Sequence, residues 1–523
     1  MTPPERSWGL RGVLLCCLLA LTAGCTTHPV TREHTTALRP AEIEATDLGR
    51  WTREASREEG GDSGFALLAE GEEALAVRAH LVDEAERRLD IQAYLIDEGQ
   101  TTHALLRRLL DAAERGVEVR LLLDDLGAVG QNARLAALDS HPNIQVRVFN
   151  PVAIGRGHLA SWVLAAAPEV RRTHRRMHNK LWITDNAVAI TGGRNLGDAY
   201  FNAGGPRNFA DLDLLAVGPV VDALSLSFDL YWNHGLARPI GRYHRVEAGA
   251  WEPLHDALGV RLAERDEALG MATLRGHEGV AAKEALLGVL HWGKGEALWD
   301  PPSKIRTPGR PRFDMTLAGA LHERVMPLDS RLVIISAYFV PLARGTRLLV
   351  ELAESGIKID VITNALSASD MPWVHGDYAA RRPELLASGV RLFEMRAEQE
   401  ANDDSAGLAG ARSPTSSLHI KALGFDDDQV FVGSFNVDPR SLWWNTETGV
   451  LVESESLSAD FHALAEIGMA PALSYEVGLD DNGDIFWETQ IDGERVRLER
   501  EPGSRWQHFS AWLSRKLGLA PWF

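Results

Sequence analysis

Two groups of residues that could act on phosphorus recur in this chain with identical spacing. The first group consists of His178, Lys180, Asp185, Gly193 and Asn195, and the second consists of His419, Lys421, Asp426, Ser434 and Asn436. Displacement at phosphorus needs a nucleophile on one side and a proton donor on the other. Because each group contains one histidine, we predict that the two groups form one catalytic site and that neither acts alone.

The residues around each motif predict a β-hairpin that holds the histidine and the lysine on one face. Apolar stretches flank Asp185 in the first copy and Asp426 in the second. Residues two apart on a strand point to the same side, so each lysine is expected beside its histidine. A cation in this position suits a phosphate that gains negative charge, whereas it would repel a metal ion. We therefore predict a phosphate site that holds no metal.

The remaining motif positions are expected to have supporting roles. Gly193 and Ser434 each follow a glycine, and these pairs let the backbone approach a phosphate closely. The two motif asparagines can donate hydrogen bonds to phosphate oxygens. Asp185 and Asp426 are expected to anchor the hairpin turns. A single copy of the motif could equally be a core histidine beside a solvated lysine, but two copies with the same gaps disfavour that alternative.

A carboxylate lies downstream of each motif, just before an apolar strand. Aligning the two strands pairs Asp211 with Glu447. Asp213 lies two residues beyond Asp211 and is the alternative candidate in the first copy. Both acids could also be surface charges.

The elements that must position these residues predict an α/β fold that occurs twice. In the first half, apolar strands at 91–96 and 117–123 enclose a leucine-rich helix that ends at Gly116. The second half repeats this order, and its helix ends at Gly356. Strand, helix and strand in series indicate parallel crossovers. The motifs are about 241 residues apart, which is too long for a solenoid repeat and indicates a duplicated domain.

These patterns divide the chain into six predicted segments. They are a signal peptide at 1–24, a tether at 25–61, a first domain at 62–245, a connecting segment at 246–312, a second domain at 313–475 and a C-terminal tail at 476–523. The tail places Trp506, Phe509, Leu513 and Leu517 on one helical face. That face could lie in a membrane interface or dock on the protein core.

The net charge and the positions of the cysteines argue against a nucleic-acid-binding protein and favour a lipoprotein. The 523 residues carry a formal net charge of −19, which argues against binding nucleic acid by bulk electrostatics. All three cysteines lie in the first 25 residues, where two arginines precede an apolar run too short to span a bilayer. Leu21 to Cys25 then resembles a bacterial lipoprotein cleavage site, which implies an acylated Cys25 in the cell envelope. Thr26 favours the outer membrane, facing the periplasm; the alternative is a soluble secreted protein.

The two motifs resemble those of the phospholipase D superfamily. This resemblance implies two α/β sandwich domains with mixed sheets flanked by helices, related by a pseudo-two-fold axis, with the active site between them. It also implies that His178 attacks phosphorus to give a phosphohistidine, that His419 is the acid and base, and that no cofactor is needed. The lysines and asparagines would cradle the phosphate. Asp211 and Glu447 would orient the imidazoles by hydrogen bonds.

Further segments resemble bacterial cardiolipin synthases, and in particular the cardiolipin synthase C branch. They include Ala112 to Asp125, Arg176 to Leu181, Gly193 to Phe201, Tyr231 to Asn233, Thr363 to Leu366 and Asp370 to Pro372. The resemblance implies transfer of a phosphatidyl group, from a donor such as phosphatidylethanolamine, to phosphatidylglycerol. A phospholipase D that uses water as acceptor is the nearest alternative. A secreted nuclease of the same superfamily is disfavoured by the acidic charge, and an accessory protein partner is left open.

Overall fold

Two mixed β-sheets of matching strand order form the centre of the protein. The structure is a computed structural model that describes residues 34–205, 207–263, 289–397 and 415–519. Cys25 and the predicted signal peptide lie outside the described residues. Among the described helices, none combines the length and the apolar character needed to cross a bilayer.

The first sheet is built from strands of the first half. Its strands are β1 (Ser63–Leu68), β2 (Arg88–Leu95), β3 (Glu118–Gly127), β4 (Ile144–Phe149), β5 (Leu181–Thr184), β6 (Val188–Gly192), β8 (Asp213–Val217) and β9 (Ala237–Pro239), while β7 (Arg207–Ala210) lies apart from it. Their spatial order is β9-β4-β3-β2-β5-β6-β8-β1. β2, β3 and β4 are parallel and the other pairs are antiparallel, so the sheet is mixed.

The second sheet repeats this order. Its strands are β10 (His291–Trp299), β11 (Arg331–Ser336), β12 (Lys358–Asn364), β13 (Arg391–Met395), β15 (Lys421–Phe425), β16 (Gln429–Gly433), β17 (Thr448–Glu453), β18 (Ser474–Leu479), β19 (Ile485–Ile491) and β20 (Glu494–Leu498), while β14 (Thr415–Leu418) lies apart from it. The spatial order is β20-β19-β18-β13-β12-β11-β15-β16-β17-β10. Parallel β11, β12 and β13 correspond to β2, β3 and β4, which confirms the duplicated α/β fold.

Helices cover both sheets. In the first half they are α1 (Pro40–Ile43), α2 (Asp47–Glu58), α3 (Gly71–Asp83), α4 (Gln100–Glu114), α5 (Asn132–Asp139), α6 (Leu159–Ala166), α7 (Val170–Thr173), α8 (Val220–Trp232) and α9 (Trp251–Ala263). In the second half they are α10 (Leu317–Val325), α11 (Leu342–Glu354), α12 (Pro372–Ala379), α13 (Arg382–Ala387), α14 (Pro439–Trp443), α15 (Glu455–Met469) and α16 (Arg505–Leu517).

The crossover helices end where the sequence predicted. α4 joins the parallel strands β2 and β3, and α11 joins β11 and β12. Gly116 and Gly356 follow these helices with φ angles of 98° and 99°. A residue with a side chain rarely adopts this left-handed conformation, so glycine ends each helix at low cost.

Three segments differ from the predicted boundaries. The predicted tether at 25–61 contains α1 and α2, and Ile43 and Leu48 are buried in the core of the first half. The predicted connecting segment contains β10, which pairs with β1 through its first residues and with β17 through the rest. The predicted tail begins inside β18, which pairs with β13. Long-range strand pairing and burial set these boundaries, and local periodicity does not report either.

A shared core joins the two halves. One apolar cluster belongs to the first half and another to the second. A third contains residues of both halves, including Met177, Leu212, Ile420 and Val450. Two of these residues are direct neighbours of His178 and Lys421, so the motifs lie against the interface between the halves.

Candidate active site

A β-hairpin follows each motif histidine, which confirms the predicted hairpins, although His178 and His419 themselves lie just before the strands and not on them as predicted. β5 and β6 form the first hairpin and β15 and β16 the second. Asp185 and Asp426 occupy the turns with φ angles of 51°. Their carboxylates accept backbone N–H bonds from the residues that lead into β2 and β11, three for each acid: Glu86, Arg87 and Arg88 for Asp185, and Asp329, Ser330 and Arg331 for Asp426. Both aspartates therefore anchor the hairpins, and among the described residues neither carboxylate bonds to His178 or His419.

Short parallel contacts between the halves position the two histidines. β7 of the first half pairs with β14 of the second. The His419 backbone N–H donates to the Ala210 carbonyl at 2.7 Å, and the His178 backbone N–H donates to the Thr446 carbonyl at 2.9 Å. Ala210 precedes Asp211 and Thr446 precedes Glu447. Each histidine is therefore held beside the acid of the opposite half.

Two crossed acid–imidazole pairs result. The His178 Nδ1 lies 2.8 Å from Glu447 Oε2, and the His419 Nδ1 lies 2.7 Å from Asp211 Oδ2. Both acids are buried. The Ser434 hydroxyl also donates to Glu447 Oε2. Because both Nδ1 atoms are engaged, Nε2 is the atom of each imidazole that is left for chemistry.

Asp213, the alternative acid, has a different set of contacts. Its carboxylate pairs with Arg78 at 2.7 Å and with Arg194 at 3.3 Å. All three side chains are buried. Asp213 therefore neutralises two arginines of the first half, and Asp211 is the acid that reaches an imidazole.

Both motif lysines are buried beside their histidines. The Lys180 Nζ donates to the His178 carbonyl at 2.9 Å, and the Lys421 Nζ lies 3.1 Å from the His419 Nδ1. Burial and the charge of Lys421 lower the pKa of Lys180 to about 7. Burial also lowers the pKa of Lys421. Two desolvated cations in one place form a site for an anion.

Burial and the lysine charges shift the pKa values of the two imidazoles by different balances of causes. Burial and the charges of Lys180 and Lys421 lower the pKa of His178 well below its ordinary value. Burial and Lys421 also lower the pKa of His419, but Asp211 opposes that shift. Although burial raises the pKa of the Asp211 carboxyl, His419 and Lys421 bring it below its usual value, whereas burial raises the pKa of Glu447.

The motif asparagines also differ. The Asn195 amide donates to the Tyr200 hydroxyl at 2.9 Å and accepts a bond from the Leu95 backbone. The buried Asn436 Oδ1 has no hydrogen-bond partner among the described residues. Only glycine fits at position 193, because a Cβ there would lie 1.9 Å from Asp211 Oδ1.

Aromatic rings that the sequence did not single out as functional contact the imidazoles. Tyr94 meets His178 edge-on with ring centroids 5.1 Å apart, and its ring lies 5.6 Å from the Lys180 Nζ. Tyr200 and Phe209 lie 5.2 Å from the His419 ring. Tyr200 sits within a segment that resembles cardiolipin synthases, but its spacing from His419 carries no local signal.

The arrangement contains the parts of a two-step displacement at phosphorus. Two imidazoles with engaged Nδ1 atoms provide a nucleophile and a proton carrier. The buried lysines provide positive charge for the phosphate.

Comparison with known proteins agrees with this geometry. Residues 79–208 and 328–466 match the family described as cardiolipin synthase, PLD-like domain. The chain is 35% identical to cardiolipin synthase C of Escherichia coli (strain K12), over 85% of this chain and 92% of that protein. It is 22% identical to cardiolipin synthase 1 of Staphylococcus aureus (strain MRSA252), over 74% of this chain and 63% of that protein.

A solved structure shares the fold. The crystal structure of phosphatidylserine synthase from Haemophilus influenzae Rd KW20 superposes with a TM-score of 0.53 and 13% identity, over 90% of this chain and 97% of that one. Both copies of the motif, at 178–195 and 419–436, lie within the matched segments. The chain therefore belongs to the phospholipase D superfamily, in its cardiolipin synthase family of PLD-like domains.

Proposed function

We propose that this protein is a phosphatidyltransferase that forms cardiolipin from two phospholipids through a phosphohistidine, without a metal. The observation that carries the proposal is the pair of crossed acid–imidazole contacts beside two buried lysines. The name of the Escherichia coli relative, cardiolipin synthase C, supports the substrate class.

In the first step His178 is the nucleophile. Its Nδ1 lies between two acceptors, Glu447 Oε2 at 2.8 Å and the Ser434 carbonyl at 3.2 Å. Two acceptors keep the proton on Nδ1 and leave the lone pair on Nε2. The pKa of His178, lowered well below its ordinary value, keeps the ring neutral. Nε2 forms a bond to phosphorus while the bond from phosphorus to the donor's headgroup oxygen breaks.

His419 manages the protons of both steps. The Asp211 carboxylate at 2.7 Å favours the protonated imidazole, and a bound phosphate anion would favour it further. Protonated His419 gives its proton to the leaving headgroup oxygen. Neutral His419 then takes the proton of the acceptor hydroxyl, on phosphatidylglycerol. That oxygen bonds to phosphorus, the bond from phosphorus to Nε2 breaks, and His178 is regenerated.

The lysines take the electrostatic role that a metal has in other phosphoryl-transfer sites. Lys180 and Lys421 are both buried, so their charges act through a medium of low polarity. The Asn436 amide can donate to a phosphate oxygen. A divalent cation would face two ammonium groups, which disfavours a metal here.

The test is a lipid product assay with purified protein in the presence of a chelator. Labelled phosphatidylethanolamine and phosphatidylglycerol are incubated with the protein and the lipids are resolved. Labelled cardiolipin is the expected product. Phosphatidic acid alone would identify a phospholipase D that uses water, and DNA cleavage without lipid turnover would overturn the lipid assignment.

We also propose that the protein is anchored in the bacterial envelope by an acylated Cys25, at the outer membrane and facing the periplasm. The order of charged, apolar and small residues before Cys25 supports this. Fatty-acid labelling of cells that express the chain should mark the wild type and not Cys25→Ala. Labelling of the variant would overturn the anchor.

A further inference from the structure

Helix α16 packs on the protein with one face and leaves a large apolar face exposed. Ser510, Ala511 and Ser514 are buried on the packed side. Contact with α12 is close, because a Cβ at Gly376 would lie 2.2 Å from the Ala511 carbonyl oxygen. A capping box at Ser504 begins the helix and Gly518 ends it. The helix is therefore firmly attached, and its exposed side is not the result of a loose end.

The exposed face is aromatic, aliphatic and basic. Trp506 is 68% exposed and Trp512 is 54% exposed, and both rings lie about 6 Å from Phe509. Leu513 and Leu517 continue the apolar face. The helix also carries three exposed cations, Arg505, Arg515 and Lys516, and no acid, although the whole chain has a net charge of −19.

This face is linked to the catalytic site through a short chain of contacts. The Gln507 side chain donates to the Leu366 carbonyl at 2.9 Å. Leu366 lies just beyond Asn364, whose side chain bonds both the N–H and the carbonyl of Leu418. Leu418 precedes His419. The helix is therefore attached next to the C-terminal end of β12, where Asn364 holds the residue that precedes His419.

A second exposed apolar helix lies in the first half. On α6, Leu159, Val163 and Leu164 are more than half exposed. The buried Trp162 of the same helix donates to Asp125 at 2.7 Å. Asp124, its neighbour at the end of β3, accepts a bond from the Met177 N–H at 2.9 Å. β3 corresponds to β12, so in each half an exposed apolar helix is linked to the histidine by a few contacts.

We propose that α16 and α6 are the surfaces by which the protein rests on a phospholipid bilayer, one linked to each catalytic histidine. Tryptophan, phenylalanine and leucine next to arginine and lysine match the acyl–headgroup boundary of an anionic membrane. The choice of a lipid partner rests on the proposed function, because both substrates would then reside in that membrane. The alternative occupants of these faces are a second copy of the chain or another protein. Either one would cover the tryptophans and prevent their quenching by lipid.

Fluorescence quenching by brominated lipids tests the contact of α16. The full chain is incorporated in vesicles of phosphatidylethanolamine and phosphatidylglycerol with acyl chains brominated near the headgroup. We expect a quenched fraction of tryptophan emission that is mostly lost in Trp506→Phe/Trp512→Phe. The control is Trp51→Phe, whose indole nitrogen is buried without a partner, and it should keep the quenched fraction. An unchanged fraction in the double variant would overturn the proposal.

The contact of α6 is tested in the same background. Adding Leu164→Trp to Trp506→Phe/Trp512→Phe places a new fluorophore on the exposed face of α6. Restored quenching is expected. No quenching of the new tryptophan would exclude α6 from the membrane surface.

A turnover assay separates this proposal from the proposed function. Phe509→Glu/Leu513→Glu should lower turnover on vesicles about tenfold or more and leave turnover of dispersed short-chain lipids unchanged. Equal activity on vesicles would contradict the proposal. If the wild type turns over no lipid, the proposed function fails, while quenching still decides whether the helices contact the bilayer.

Discussion

The two copies of the catalytic motif have the same spacing but different surroundings. His178 is paired with Glu447, which is longer by one methylene and also accepts a bond from the Ser434 hydroxyl. His419 is paired with Asp211, which lies so close to Gly193 that no side chain fits there. The longer acid is thus combined with serine and the shorter acid with glycine. A symmetric sequence motif therefore surrounds its two imidazoles with different partners, and Asp211 opposes the lowering of the His419 pKa.

The difference supports the separate roles proposed for the two histidines. Burial and the charges of Lys180 and Lys421 lower the pKa of His178 well below its ordinary value, and its Nδ1 bonds two acceptors, Glu447 Oε2 and the Ser434 carbonyl. Asp211 favours the charged form of His419, and His419 in turn lowers the pKa of Asp211. A neutral nucleophile and a chargeable acid are what a displacement at phosphorus needs.

Removing either histidine should have the largest effect. We expect His178→Ala and His419→Ala each to lower turnover of natural lipids by on the order of 10³ or more. A nitrophenyl phosphatidyl donor, whose leaving group needs no proton, distinguishes them. His419→Ala should still release one equivalent of nitrophenol, and His178→Ala none. The opposite pattern would exchange the two roles.

Neutralising the acids should have the next largest effect. Asp211→Asn and Glu447→Gln keep the shape of each side chain and remove its charge. We expect turnover of natural lipids to fall about 10²-fold in both, because each imidazole loses its orienting partner. With the nitrophenyl donor, the first step should recover in Asp211→Asn only. Equal recovery of the first step in both variants would mean that the two acid–imidazole pairs have the same role.

Exchanging the small residues should have a smaller and unequal effect. Gly193→Ser places a Cβ against Asp211 Oδ1 and should cost about 2 kcal/mol of folding stability, with at least tenfold loss of turnover. Ser434→Gly removes one hydrogen bond to Glu447 and should cost about 1 kcal/mol, with a few-fold loss. For each variant, urea unfolding measures the loss of folding stability and the lipid assay measures the loss of turnover. Equal costs would contradict the steric account of Gly193.

The smallest expected difference between the halves is in the pH dependence of kcat/KM, which should reflect Lys180 and not Lys421. Because the pKa of Lys180 is lowered to about 7, its charge is present below that pH and is lost above it. We expect kcat/KM to fall several-fold as the pH rises through about 7. Lys180→Arg keeps its charge and should move this fall to higher pH, whereas Lys421→Arg should leave it in place. A fall that does not move in Lys180→Arg would come from another group.

The sequence predicted the elements more completely than the site. Both hairpins, both crossover helices and their terminal glycines follow from local periodicity, because residues near in sequence decide them. Aligning the two copies favoured Asp211, but local periodicity does not settle the choice between Asp211 and Asp213, since both lie on the same face of an extended segment. It is decided by Arg78, which lies 135 residues from Asp213 in sequence. The crossing of each acid to the opposite histidine depends on β7 and β14, which meet only in the folded protein.

Strand β10 has a consequence for motion. Residues His291, Trp292 and Gly293 pair with β1, and the residues from Lys294 to Trp299 pair with β17. A hinge that swung the halves apart would have to break one of these ladders, together with the contacts of β7 and β14. Clamshell opening is therefore too costly to occur in each catalytic cycle. In the proposed function, both lipids therefore reach the histidines while the two halves stay joined.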